Sequence, residues 1–510
     1  MPAASYILAI DQGTTSTRSM VFDAAGRPLS TAQREFAQHY PHDGWVEHDP
    51  ENIWSDVLIT AAEAIGQAGL RASQVAAIGI TNQRETVVIW DRASGAPIHS
   101  AIVWQDRRTA PLCGRLRAAG HEPLVRGRTG LLLDPYFSAT KAAWILDHVE
   151  GARARAERGE LALGTIDSFL LWRLTGGAAH ATDVTNAART LLYDIHAQRW
   201  DEELCALFRV PMAMLPQVED CSHAFGTTSP DLFGAPILIG GIAGDQQAAL
   251  VGQACFEPGS VKSTYGTGCF LLLNTGERAI TAPALLTTPA YRIGGRMTYA
   301  LEGSIFAAGA AVKWLRDGIG IIDHASQTGD MATRIEDNGG VYMVPAFVGL
   351  GAPHWDPDAR GAITGLTFDT RAAHLARAAL EAVAYQTLDL IEAMVAGGGG
   401  TPSTIHVDGG MAANEWLCQF LADMVQIPVE RPRHLETTAL GAAFLAGLTV
   451  GIWPDPAAIA ATRQPDRQYL PVMGQEKRAR LISGWSRALA STLTRGCHVR
   501  PEPPLPPNTG

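Results

Sequence analysis

Tyr6-Ile-Leu-Ala-Ile-Asp-Gln-Gly-Thr-Thr-Ser-Thr-Arg-Ser-Met-Val-Phe22 reads as two strands joined by a polar turn. Tyr6 to Ile10 is apolar and β-prone and stops at Asp11, and a second run, Ser19 to Phe22, leads to the turn Ala24-Ala25-Gly26. The result is a hairpin with hydroxyls at its tip. Further on, the buried-strand run Pro236 to Ile242 closes on Gly244-Asp245-Gln246-Gln247. Val261 to Tyr265 and Cys269 to Asn274 then flank Gly266-Thr267-Gly268 as a second hairpin. The likeness of Gln12-Gly13-Thr14-Thr15 to Tyr265-Gly266-Thr267-Gly268 predicts a duplicated domain.

Working outward, the helix pattern Glu51 to Ala68 and the strands Val75 to Ile80 and Thr86 to Trp90 give the mixed order of an α/β domain. In the second half Leu380, Val383, Ala384, Thr387, Leu388 and Ile391 recur at helical spacing before Gly397 to Gly400 breaks the pattern. A strand at Ile405-His406-Val407 then turns through Asp408-Gly409-Gly410 into a helix from Ala412 to Val425. The chain is too long for one core. We expect domains at 1–253 and 254–500, with the boundary near Cys255, and a disordered Pro-rich tail at 501–510 without a catalytic part.

With 46% hydrophobic and 18% charged residues a large core is expected, and the net charge of −11 argues against nucleic acid or an anionic membrane as partner. Seven scattered cysteines without a CxxC pair suggest neither a disulfide framework nor zinc, and the apolar run Ile7 to Ile10 is far too short to be a signal or membrane segment. These features predict a cytoplasmic enzyme.

A tight Gly-Thr hairpin offers a phosphate backbone N–H groups and hydroxyls, and an acid just before it can hold a cation. Asp11 with Gly13-Thr14-Thr15 fits, as does Gly266-Thr267-Gly268, and the strand–Gly409-Gly410–helix junction adds a place where a nucleotide can approach the backbone. No Walker-type loop and no strand-linked Gly-x-Gly-x-x-Gly occurs in the sequence. Arg84-Glu85, after Thr81-Asn82-Gln83, reads by itself as a surface ion pair, and Trp104 and Tyr136 read by themselves as core or interface aromatics. Asp245, ending an apolar strand between Gly244 and two glutamines, has the composition of a reactive sheet end.

The ordered set of motifs goes further. Asp11-Gln-Gly-Thr-Thr-Ser-Thr-Arg18, Gly44-Trp-Val-Glu-His-Asp-Pro50, Ile78-Gly-Ile-Thr-Asn-Gln-Arg-Glu-Thr86, Trp104-Gln105 with Arg107-Arg108-Thr109, Asp134-Pro-Tyr-Phe-Ser138, Gly241-Ile-Ala-Gly-Asp-Gln-Gln247, Thr264-Tyr-Gly-Thr-Gly268 and Asp408-Gly-Gly410 span nearly the whole chain. Together they resemble the FGGY family of sugar and polyol kinases, and within it the members that phosphorylate glycerol. The resemblance implies two actin-like (ribonuclease H-like) α/β domains with ATP and Mg2+ in the cleft between them. It also implies transfer of the γ-phosphoryl group of ATP to glycerol, and a homo-oligomer, either dimer or tetramer. By position, Arg84, Glu85, Trp104, Tyr136, Asp245, Gln246 and Phe270 match the glycerol site, with Asp245 as general base. Thr14, Thr15, Ser16 and Arg18 match the phosphate hairpin, Asp11 and Asp245 the magnesium side, and Thr267, Gly309, Lys313, Gly410 and Asn414 the nucleotide side. Lys313 stands where relatives carry Gln, which bears on the adenosine contact. A kinase of another polyol or ketose, and an actin-like ATPase without a metabolic substrate, are the alternative readings.

Overall fold

A computed structural model describes residues 5–494, so the Pro-rich tail and Cys497 lie outside the described residues. The first sheet begins with the hairpin Tyr6–Gln12 and Ser16–Phe22, whose register pairs Asp11 with Arg18 and Gln12 with Thr17. Pro28–Glu35 continues antiparallel beyond the second strand, while Val75–Asn82 and then Leu238–Gly244 lie parallel on the other side of the first. The order of these five strands is three-two-one-four-five, with Ser222–Thr227 as an added antiparallel edge.

The second sheet repeats that order. Val261–Tyr265, Cys269–Gly276 and Arg296–Ile305 run antiparallel, and Ile405–Asp408 and Val429–Pro432 lie parallel to the first of them. Leu286–Ile293 and Pro465–Tyr469 extend the two edges. The duplication suggested by two short tips is therefore a duplication of topology. Both copies place the tip and the C-terminal ends of the parallel strands on one side, where an open α/β sheet binds ligands.

Helix Pro50–Gln67, capped by Asp49, presses Ile53, Val57 and Ala61 onto Leu8, Ile10, Ile78 and Ile80. The opposite face of the first sheet is covered from far along the chain. Helix Thr437–Thr449 sets Ala439, Ala442, Ala443 and Phe444 against Ile7, Ala9 and Met20. It lies so close that a Cβ at Gly79 would sit 2.1 Å from the Ala442 carbonyl oxygen. It also crosses helix Asp245–Gly252 almost backbone to backbone, since a Cβ at Gly441 would meet the Ala248 oxygen at 1.8 Å. Only glycine permits such an approach.

Several expected boundaries move: the strand expected from Ser19 begins at Ser16, and the one expected to end at Ile80 runs to Asn82. The strand expected from Pro236 runs from Leu238 to Gly244. The helix expected from Ala412 starts at Glu415, because Asn414 caps it, its Oδ1 accepting the Leu417 N–H at 3.1 Å, and Gly410–Ala413 forms a short 3-10 turn instead. Among the described residues no helix is long and apolar enough to cross a membrane.

Candidate active site

Strand Val75–Asn82 delivers Gln83, Arg84 and Glu85 to the ligand side of the first sheet, all buried. Glu85 has φ +64, a left-handed conformation that a non-glycine residue holds only when its surroundings demand it. Here the demand comes from charge. Arg189 Nε donates to Glu85 Oε1 at 2.6 Å, and Arg84 grips Glu302 through Nη1 at 2.6 Å and Nη2 at 3.1 Å. Arg189 Nη2 also reaches Glu302, at 3.0 Å. Burial by itself would raise Glu302, but Arg189 and Arg84 hold its carboxyl down to about 2. Burial pushes Glu85 upward against the pull of the same two arginines.

What this network leaves available is Arg84 Nε, 3.3 Å from Asp245 Oδ1. Asp245 opens helix Asp245–Gly252 with a partly exposed side chain and accepts the Gln246 N–H at 2.7 Å. Beside this pair stand three aromatic rings. Trp104 meets Tyr136 edge-on with centroids 5.5 Å apart and Phe270 at 6.4 Å, and the Arg84 guanidinium lies 5.9 Å from the Phe270 ring. Burial pushes the Tyr136 hydroxyl well above its ordinary value, so it stays protonated and able to donate. Lys262 Nζ sits 2.5 Å from Gln246 Oε1 and so engages the amide oxygen rather than the NH2. All seven residues matched to a polyol site are thus in one place, charged and amide groups on one side and aromatic rings on the other.

The hairpin tip adjoins that wall, since Trp104 Nε1 donates to Thr14 Oγ1 at 2.9 Å. Of the other tip residues, Thr15 is exposed, Ser16 Oγ accepts from Gln33 Nε2 at 3.2 Å, and Arg18 is ion-paired with Glu436. Desolvation lifts the Asp11 carboxyl to about 7; Arg18 opposes this, and the charges of Asp245 and Glu436 add to it. The second tip is tied to helix Gly309–Asp317: the Ala308 and Ala310 N–H groups donate to the Thr267 oxygen at 2.9 and 3.0 Å. A Cβ at Gly309 would come within 2.6 Å of the Gly266 oxygen, whereas Gly410 is open on its free side. Lys313 is exposed on the same helix, and Asn414 is engaged in its cap.

Sequence reasoning missed Arg189, Glu302 and Lys262. A signal for Glu302 existed, a lone carboxylate in the buried strand Arg296–Ile305 that must find a partner. Nothing local marks Arg189.

Residues 6–252 match the N-terminal domain, and residues 261–450 the C-terminal domain, of the FGGY family of carbohydrate kinases. The chain is 63% identical to a glycerol kinase of Gluconobacter oxydans, with 98% of each chain covered, and 61% identical to one of Methylobacterium nodulans over 96% of this chain and 98% of that one. Among solved structures, Plasmodium falciparum glycerol kinase with ADP superposes with a TM-score of 0.89 at 37% identity, covering 96% of this chain and 99% of that one. With two sheets of the same strand order and both domains matched in order, the chain belongs to the FGGY family of carbohydrate kinases.

Proposed function

We propose that this protein transfers the γ-phosphoryl group of ATP to a primary hydroxyl of glycerol, yielding sn-glycerol 3-phosphate and ADP in the cytoplasm. The observation that carries this reading is the Arg84–Asp245 pair set against Trp104, Tyr136 and Phe270, one hydrogen bond from the phosphate-type tip. A three-carbon polyol needs hydroxyl partners on one side and an apolar wall on the other. Arg84 and the Gln246 amide serve as donors, Glu85 and Asp245 as acceptors, and Tyr136 as a donor beside them. Asp245 takes the proton as the hydroxyl oxygen bonds to phosphorus and the bond to the ADP oxygen breaks.

Thr14, Thr15 and Ser16 hold the phosphates and Arg18 adds charge; Thr267, Gly309, Lys313, Gly410 and Asn414 face the nucleotide. Asp11 and Asp245 suit Mg2+, because desolvation, with the neighbouring Asp245 charge adding, lifts the Asp11 carboxyl, and a cation there would relieve both. Among the described residues no cluster of three or more His, Cys, Asp or Glu forms, so a cation held here would take its other ligands from water and phosphate oxygens. Bound there, it would neutralise phosphate charge. We further propose that 1–253 and 254–500 close on each other around the substrates, excluding water, and that the protein works as a homo-oligomer. ADP release, measured with and without glycerol across a panel of small polyols and ketoses, tests the reading. Turnover highest with glycerol is expected; a preference for a ketose, or ADP release independent of any polyol, would overturn it.

A further inference from the structure

The motif Gly44-Trp-Val-Glu-His-Asp-Pro50 has no part in the chemistry above, yet His48 is fully buried immediately behind the first hairpin tip. The tip turns its carbonyls back into the protein. Gly13 O accepts from Gln12 Nε2 at 2.8 Å and Gln83 Nε2 at 3.1 Å, Thr14 O from Gln38 Nε2 at 2.8 Å, and Thr15 O from the Phe36 N–H at 3.3 Å. His48 stands between two of these donors, with Nε2 2.6 Å from Gln38 Oε1 and Nδ1 3.2 Å from Gln83 Nε2.

Donor and acceptor logic settles the tautomer. The Gln38 amide N–H points at Thr14 O, so its oxygen faces His48 and must receive a proton from Nε2. With the proton on Nε2, Nδ1 is left as an acceptor, and it shares the two Gln83 Nε2 hydrogens with Gly13 O and Gln12 Oε1. A neutral imidazole protonated on Nε2 meets both demands, and burial, which holds His48 down at about 4, keeps it neutral.

We propose that His48 is a positioning residue for nucleotide phosphates: it aligns the Gln38 and Gln83 amides that strap the Gly13 and Thr14 carbonyls away from the cleft. A carbonyl oxygen turned toward a phosphate repels it, so the strap lets the tip present N–H groups and hydroxyls alone. The inference rests on the ATP-dependent reading given above and concerns only the polyphosphate end of the nucleotide.

The test is calorimetric titration of the full-length chain with Mg–β,γ-imido-ATP, AMP and glycerol. His48→Phe keeps a ring, cuts both hydrogen bonds, and should weaken the triphosphate analogue about tenfold while AMP and glycerol stay within about twofold. His48→Gln, which carries one donor and one acceptor, should recover part of that loss. Equal weakening of all three ligands, or unchanged triphosphate affinity, would overturn the proposal. Should His48→Phe not fold, Gln38→Ala removes the Thr14 strap from its half-buried outer end and must show the same triphosphate-selective loss. A wild-type chain that binds the triphosphate analogue but does not turn over glycerol would sink the proposed reaction and leave the strap standing.

Discussion

Asp245 meets Arg84 Nε, the one nitrogen of that guanidinium that does not bond Glu302, and this sets what substitution there can reveal. In Asp245→Asn the amide oxygen can still accept from Arg84 but cannot take a proton. Glycerol binding, followed by tryptophan fluorescence, should persist, and kcat should fall about 100- to 10,000-fold; near wild-type turnover would remove Asp245 from the mechanism. Arg84→Ala is a different kind of lesion. It raises the glycerol requirement strongly with ATP constants nearly unchanged, and it also strands Glu302 with Arg189 as its remaining guanidinium partner. Breaking a buried pair on one side costs about 3–5 kcal/mol, so a lower melting temperature is expected along with the higher KM. An undiminished melting temperature would show that Glu302 does not depend on Arg84. Asp245 and the Gly-Thr tips were legible in the sequence because strand ends and turns are local events. The burial of Arg84-Glu85 was not, because a pair that reads as solvated becomes internal only through Arg189 and Glu302, more than one hundred positions away along the chain.

At the scale of elements, the hairpin strands and the parallel strands beside them at Val75–Asn82, Leu238–Gly244 and Ile405–Asp408 followed from their apolar runs, and the repeat of two four-residue tips anticipated the repeated strand order, whereas Pro28–Glu35 and Pro465–Tyr469 carry no apolar run to read. What the sequence hid was helix Thr437–Thr449. Its Ala- and Gly-rich run signals burial but not against what, since its partners Gly79, Gly241 and Gly252 carry no side chain to leave a pattern. Gly441→Ala tests this contact. The added methyl would overlap the Ala248 carbonyl and force two helices apart, at a cost of about 1–3 kcal/mol by denaturant unfolding. A neutral result would show that the helices separate without penalty.

For the molecule as a whole, stability should depend on pH through histidines kept neutral by burial. His180 is lowered to about 4 and His406 to about 3, the latter with Arg463 adding to the effect of burial. Unfolded, both titrate near 6.5, so below that pH the unfolded chain binds protons that the folded chain refuses. Their contribution is intact above pH 6.5 and is lost as the pH falls toward 4 and 3. Asp167 runs the other way: burial, with Asp183 adding, lifts it to about 7, and the proton it retains favours the fold at low pH. His180→Gln and His406→Gln should each flatten the fall in melting temperature between pH 7 and 5, and an unchanged slope would refute the assignment.

The crossing helix has a consequence for how the chain is made. Residues 437–449 cover the Ile7–Ala9–Met20 face of a sheet whose own strands are complete by residue 244. On the ribosome the first half must therefore wait, with that face uncovered, while nearly two hundred further residues are added. A fragment ending at 253 should bind a hydrophobic dye and aggregate, and a synthetic peptide of residues 437–449 should restore its solubility. A soluble, cooperatively folded fragment without the peptide would show that the sheet closes unaided.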